Sequence, residues 1–196
     1  LEGNHKTKEG LFDDFFDDIY IPHENEQDTM YDKSILDNYS KYRWNIRFLN
    51  DGILPCSQYK FHIGYDEESN RITIPWFDID GNLIGIMGRL DLDEKTNYKY
   101  LPLIPFPKHN FLYGLYENKE YIKESKIAYL FESEKSVMLG DSLGYRNFLA
   151  LGGNTISILQ VEMLLRLGVE CFIICLDEGL DVEIIKRNIQ TIKSCC

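Results

Sequence analysis

No run in this chain approaches the roughly 20 consecutive apolar residues that span a bilayer, and no basic-then-apolar leader opens it. The sequence therefore reads as a soluble, cytoplasmic protein with no membrane partner. Positive charge is scarce as well: 21 Lys+Arg against 32 Asp+Glu leave a net charge of −11. A chain so acidic is not drawn unspecifically to a phosphate backbone, so any contact with nucleic acid must come from a local basic patch. Cysteine is sparse and lacks a pairing pattern. Cys56, Cys171, Cys175, Cys195 and Cys196 are odd in number and contain no Cys-x-x-Cys, which argues against a zinc cluster and against a disulfide framework. Cys171 and Cys175 lie in an apolar run, where a thiol acts as a small hydrophobe. Histidine is rare too, and His5 and His23 have no partners at ligand spacing. What remains, 44% hydrophobic residues in 196, suffices for one domain or two modest ones.

The stretch Cys171 to Asp181, CFIICLDEGLD, organises the rest. Buried parallel strands read as continuous apolar runs, and ligands of open α/β sheets bind just beyond the carboxyl ends of such strands. Asp177 is expected at that rim. A second run of the same form, IAYLFE from Ile127 to Glu132, would bring Glu132 to a neighbouring strand end. Two converging carboxylates suit a divalent metal, because hard cations take oxygen ligands at roughly 2.0 to 2.6 Å.

Taken in order, residues 1–34 read as an acidic leader or linker, and Asp13 to Asp18 (DDFFDD) as a solvated charge run rather than a metal cluster. Ser34 to Gly52 fits one or two short helices, stopped by Gly52. From Phe61 to Leu90 the pattern changes to short strands: FHIGYD, RITIPWFD, the turn Asp80-Gly81-Asn82, then LIGIMGRL. An Asp-Gly turn between β-rich runs predicts an antiparallel hairpin. Gly85 and Gly88 mark a close approach to its second strand. Arg71 and Arg89 flank the hairpin at its outer ends, and Lys99 and Lys108 follow in a passage where Pro102, Pro105 and Pro107 exclude a helix. These four form a local cationic set; composition alone leaves scattered surface charge as an equal alternative.

After a helical connector, GLYENKEYIKESK, strands and helices alternate: IAYLFE, KSVMLGDSLG, NFLALGG, TISILQVEMLLRLG, CFIICLD and VEIIKRNIQTIK. The third of these helical units, counting the connector, has an expected cap at Asn154 and a stop at Gly168. Alternation predicts right-handed crossovers and a parallel sheet. The fold class is thus α/β, with an α+β basic unit over 35–124 followed by a doubly wound parallel sheet over 125–196.

The order RITIPWFDIDGNLIGIMGR, KYL, FPKHNFLYGLYE, a strand ending in Glu, ALGG, and a strand ending in LDEGLD resembles the catalytic core of bacterial-type (DnaG-class) DNA primases, in a divergent or phage-like form. The similarity runs from about Ile35 to Asp181, and its specific elements are Arg-Ile-x-x-Pro, Gly-x-x-Gly-Arg and Leu-Tyr-Gly-Leu-Tyr. It implies a basic subdomain that guides single-stranded DNA template, then a TOPRIM domain that binds catalytic Mg2+ or Mn2+. Arg71 and Arg89 match groove residues, Lys99 the lysine of Lys-Tyr-Leu, and Lys108 the lysine before Leu-Tyr-Gly-Leu. Glu132 matches the TOPRIM glutamate, the general base or metal-adjacent acid, and Asp177 the first acid of Asp-x-Asp, a metal ligand. Where that family has further Asp residues this chain has Ser136 and Gly179, with Glu178 and Asp181 as secondary ligand candidates. The implied reaction is primer synthesis from ribonucleoside triphosphates, with a replicative helicase as a further partner and no zinc in this chain. A catalytically weakened nucleic-acid-binding accessory module is the alternative. A TOPRIM nuclease fits less well, because no nucleophile motif stands out among the 13 tyrosines.

Overall fold

In the computed structural model, residues 29–39, 44–92 and 98–195 are described. The acidic run Asp13 to Asp18, His5, His23 and most of the expected leader lie outside them. Turn chemistry starts the first sheet. Asp78 accepts hydrogen bonds from the backbone N–H of Asp80 (3.0 Å) and Asn82 (2.7 Å) and from the Asn82 amide (2.8 Å). Gly81 adopts φ +88, a conformation that favours glycine. The strands on either side pair as expected. β1 (Gly64–Asp66), β2 (Arg71–Phe77), β3 (Leu83–Leu90) and β4 (Tyr100–Ile104) form an antiparallel sheet in that order. Phe61 does not join β1. It lies in the turn after helix α2 (Pro55–Lys60), which follows α1 (Ile46–Asn50) and a 3-10 helix at Lys33–Tyr39.

Register decides which way this sheet's side chains point. Arg71 is opposite Leu90, whereas Ile72 is opposite Arg89. Neighbours along a strand alternate between faces, so Arg71 and Arg89 lie diagonally adjacent but on opposite faces. Trp76, Met87 and Arg89, together with Tyr100 opposite Arg89, share the face that looks toward the second half of the chain.

That half is a three-stranded parallel sheet in the order β6 (Phe148–Ala150), β5 (Ile127–Phe131), β7 (Cys171–Cys175). Helix α3 (Leu115–Ser125) leads into β5, α4 (Glu134–Ser142) joins β5 to β6, α5 (Ile158–Arg166) joins β6 to β7, and α6 (Val182–Cys195) follows. The chain steps one way from β5 to β6 and then back across β5 to β7. Right-handed crossovers place α4 and α5 on opposite faces. Packing agrees: Val137 and Met138 of α4 join the core of the antiparallel sheet, while Val161 and Leu164 of α5 pack in a second core flanked by Ile192 of α6. The first core runs from Phe48 and Trp76 to Val137 and Ala150, across the expected boundary at 124.

Two local expectations are corrected. β7 is an edge strand with Cys171 exposed and Phe172 to Cys175 half-buried, because only β5 pairs with it among the described residues. Helix α5 is capped by Ser157, not Asn154. The Ser157 hydroxyl accepts from Gln160 N (3.1 Å) while the Gln160 side chain accepts from Ser157 N (3.0 Å), a reciprocal capping box. No described helix is long and apolar enough to cross a membrane.

A polar cluster joins the two sheets' helices. Lys60 of α2 meets Asp141 of α4 at 2.6 Å and donates to Asn118 (2.9 Å). Ser57 donates to Asp141 (2.6 Å), and Asn118 donates to the Phe148 carbonyl (3.1 Å). Glu117 lies beside this cluster, and burial pushes its carboxyl up to about 7, with the Lys60 charge opposing and Asp141 reinforcing. A carboxyl whose folded value exceeds its ordinary value of 4.5 contributes stability that is complete below about pH 4.5 and lost as pH rises through about 7. We therefore expect the urea midpoint to fall between pH 5 and pH 8, and Glu117→Gln to flatten that fall. A parallel pH dependence in the variant would refute the assignment.

Candidate active site

The second sheet delivers its functional groups through the end of β5. Phe131 pairs with Ala150 on one side and Cys175 on the other. Hydrogen bonds from Leu151 N to Phe131 O (2.9 Å) and from Gly152 N to Glu132 O (3.1 Å) continue the β6 pairing past the strand. Strand order reverses at β5, and such a switch point opens a crevice at the carboxyl end of a parallel sheet. Glu132 is the first residue in it. A cavity of about 230 Å³ lies there, lined by Tyr100 from the antiparallel sheet, by Lys108, by Glu132 and Glu134, and by Gly152 and Gly153.

Lys108 opens a single 3-10 turn, Lys108–Asn110, after Pro107. Its aliphatic stem crosses Gly152: a Cβ there would stand 3.3 Å from Lys108 Cδ and 2.9 Å from Trp76 Cη2, and Gly152 has φ +74. Only glycine meets both demands without strain. Arg89 lies buried on the same side of the antiparallel sheet, 5.6 Å above the Phe48 ring, with Nε and Nη1 making no hydrogen bond among the described residues. Burial raises the Tyr100 hydroxyl above its ordinary range, and the charge and hydrogen bond of Arg89 oppose the rise.

The other cations stand apart. Arg71, on the far face, donates to the carbonyls of Gly88 (3.1 Å), Lys99 (3.3 Å) and Tyr98 (2.8 Å), so its guanidinium holds the segment entering β4. Lys99 is exposed in that segment. The expected four-residue cationic set is therefore split by the register, and Lys108 alone of the four lines the cavity.

The acids are split too. Glu132 lines the cavity, and Asp177 leaves the adjacent strand two residues after Cys175, the partner of Phe131. Asp177 and Glu178 are exposed. Asp181 accepts from Glu183 N (2.9 Å) and so caps α6. Gly179 takes φ +88 in the turn between them, a conformation an aspartate adopts only with strain. Ser136 lies 3.3 Å from the Ser133 hydroxyl. No three acidic, histidine or cysteine side chains among the described residues converge as a metal-holding group. Mg2+, however, is ordinarily held by one or two carboxylates with water and substrate phosphates completing its shell. Glu132 and Asp177, which follow the adjacent strands β5 and β7, are the two carboxylates available for such a set.

Glu134 is the residue that sequence reasoning missed. It begins α4, is 5% exposed, and accepts a hydrogen bond from Trp76 Nε1 at 3.1 Å. Burial raises its carboxyl, while its own backbone N–H, the Lys108 charge and the Trp76 bond pull the other way. An acid in the first turn of the helix was the available signal, but with the helix read as starting at Lys135 it went unused.

No family model matches the chain. It is 36% identical over 160 residues to an SPbeta prophage-derived protein, YorJ, of Bacillus subtilis strain 168, covering 76% of this chain and 42% of that protein. It is 35% identical over 107 residues to the DNA primase of Aquifex aeolicus, covering 53% of this chain and 21% of that protein. A solved structure of the zinc-binding and RNA polymerase domains of the Aquifex aeolicus primase matches with TM-score 0.70 and 28% identity over 82% of this chain and 50% of that one. A DnaG primase catalytic domain bound to single-stranded DNA matches in fold, with TM-score 0.65 and 20% identity over 79% of this chain and 61% of that one. The chain thus spans less than half the length of these two curated relatives.

The two hairpin arginines should separate in unfolding experiments. Arg71→Met leaves three carbonyls without their donor and should destabilise by about 2–3 kcal/mol. Arg89→Met removes two buried unpaired donors and should stay within about 1 kcal/mol of the parent. Equal losses in urea titrations would contradict these roles.

Proposed function

We propose that this chain, a relative of the DnaG-class DNA primases with the fold of their catalytic core, carries the nucleotidyl-transfer centre for primer synthesis on single-stranded DNA. The observation that carries the reading is the shared cavity at the β5 switch point, where Glu132 from one sheet faces Lys108 and Tyr100 from the other half of the chain. A carboxylate and an ammonium lining one cavity suit a reaction that removes a proton from a 3′-hydroxyl next to a triphosphate.

In this reading Glu132 receives the proton of the attacking hydroxyl or anchors a metal, and Asp177 is the second anchor. A Mg2+ or Mn2+ held there supplies charge stabilisation for the attacking and leaving oxygens. Lys108 holds a phosphate beside the Gly153 backbone, which carries no side chain, while its stem covers Gly152. Exposed Lys99 contacts the template strand, as groove cations do for single strands, and Arg89, buried against Phe48, supports that surface from within. Arg71 supports that surface from behind. Glu178 is a secondary acid, and Asp181 acts through the α6 cap. The unit over 35–124 and the TOPRIM-type unit over 125–196 divide these tasks. Ribonucleoside triphosphates are the substrates, a replicative helicase is a further partner, and the site of action is cytoplasmic.

A second reading, a nucleic-acid-binding module without catalysis, is favoured by one feature: Asp181 caps a helix, and Ser136 and Gly179 bring no carboxylate. The two differ in metal binding. Calorimetry should detect Mn2+ binding that Asp177→Ala abolishes if the centre is catalytic, and none if it is not.

Primer synthesis by the longest natural form of this protein, on single-stranded template with ribonucleotides and Mn2+, tests the first reading directly. Glu132→Gln should lower primer yield on the order of 10²-fold or more. Equal yields from parent and variant would sink it.

A further inference from the structure

We infer that Glu134 is a positioning residue for Lys108, its carboxyl pinned by Trp76 so that the ammonium is held over the Gly152-Gly153 floor of the cavity. This rests on the reading of Lys108 as a phosphate contact and adds a residue to it.

Three observations converge on the pair. Glu134 is fixed: it is buried at the first turn of α4 and takes the Trp76 indole N–H at 3.1 Å. Trp76 is itself immobile, fully buried with its ring 5.1 Å from Phe106 and 5.3 Å from Tyr113. Lys108 is laid against the same assembly, because the space above Gly152 is closed jointly by its Cδ and by the Trp76 ring edge. Both side chains then line one cavity with Glu132.

A lysine carries its charge on a flexible four-carbon stem. Left alone, it would be ordered only when a phosphate arrives, and ordering one such side chain weakens binding by roughly two- to tenfold. A carboxyl fixed in the same cavity restricts the ammonium through its charge and so lowers that penalty beforehand.

The sign of the effect separates this role from simple electrostatics. A carboxyl that only repelled phosphate would, on Glu134→Gln, leave a site that binds more tightly. A positioning carboxyl predicts weaker binding, and only while Lys108 is present. The experiment is a double-mutant cycle on the full protein, with dissociation constants measured for a twelve-nucleotide oligothymidylate and for inorganic tripolyphosphate. Glu134→Gln, which keeps an acceptor for Trp76, should weaken binding about two- to tenfold and should have no effect in a Lys108→Met background. The probe that responds identifies the phosphate as template strand or nucleotide. Trp76→Phe, which frees the carboxyl but keeps its charge, should weaken binding in the same direction and stands in should Glu134→Gln not fold. Tighter or unchanged binding on Glu134→Gln, or an equal loss in both backgrounds, overturns the inference while leaving primer synthesis intact. Unchanged binding on Lys108→Met removes the phosphate contact itself, and the inference with it.

Discussion

Strand β5 is hydrogen-bonded along both edges, to Phe148–Ala150 and to Cys171–Cys175. A strand so held cannot shift its register without breaking both ladders, so the residue that follows Phe131 has one place to go. Glu132 is that residue, and the bond from Gly152 N to its carbonyl extends the constraint past the strand. The cavity, the approach of Lys108 across Gly152 and the burial of Glu134 all follow from where β5 ends. β7 is held on one edge alone among the described residues, and its acids at Asp177 and Glu178 are correspondingly exposed.

Around that junction the molecule buries charge between two sheets, which is costly unless each group is compensated. The compensation is uneven. Lys60 and Asp141 share a network in which Ser57, Asn118 and the Phe148 carbonyl take part. Arg71 is satisfied by three carbonyls. Arg89 is left with two donors unpaired and Glu134 with one indole partner. The Lys60–Asp141 network holds the halves together, whereas Glu134 lines the cavity and Arg89 lies buried against Phe48.

Much of this was readable in the residues. The Asp-Gly turn predicts the hairpin, the alternation of apolar runs with helical segments predicts the parallel sheet, and the ordered motifs point to primases, to which the chain is similar in sequence and fold. These are local properties: a turn needs its own four or five residues, and a motif is read in place. Boundaries were less secure. Asn154 looked like a cap because it precedes an apolar run, yet its carbonyl is bonded to Asn188 of α6 (2.8 Å), a partner 34 positions away, and Ser157 caps instead.

The chain by itself determined the hairpin, the three apolar runs that become parallel strands, and that acids would follow two of them. Tertiary structure decided which of those residues meet. Arg71 and Arg89 differ by one step of register, and that step sends them to opposite faces. Asp181, expected as a secondary ligand candidate, caps α6, because its turn brings the carboxylate to Glu183 N. Glu134 had no visible role until Trp76, 58 positions earlier, was brought over it. A side chain's partner depends on which face and which neighbour the packed sheets present, and no stretch of sequence carries that information alone.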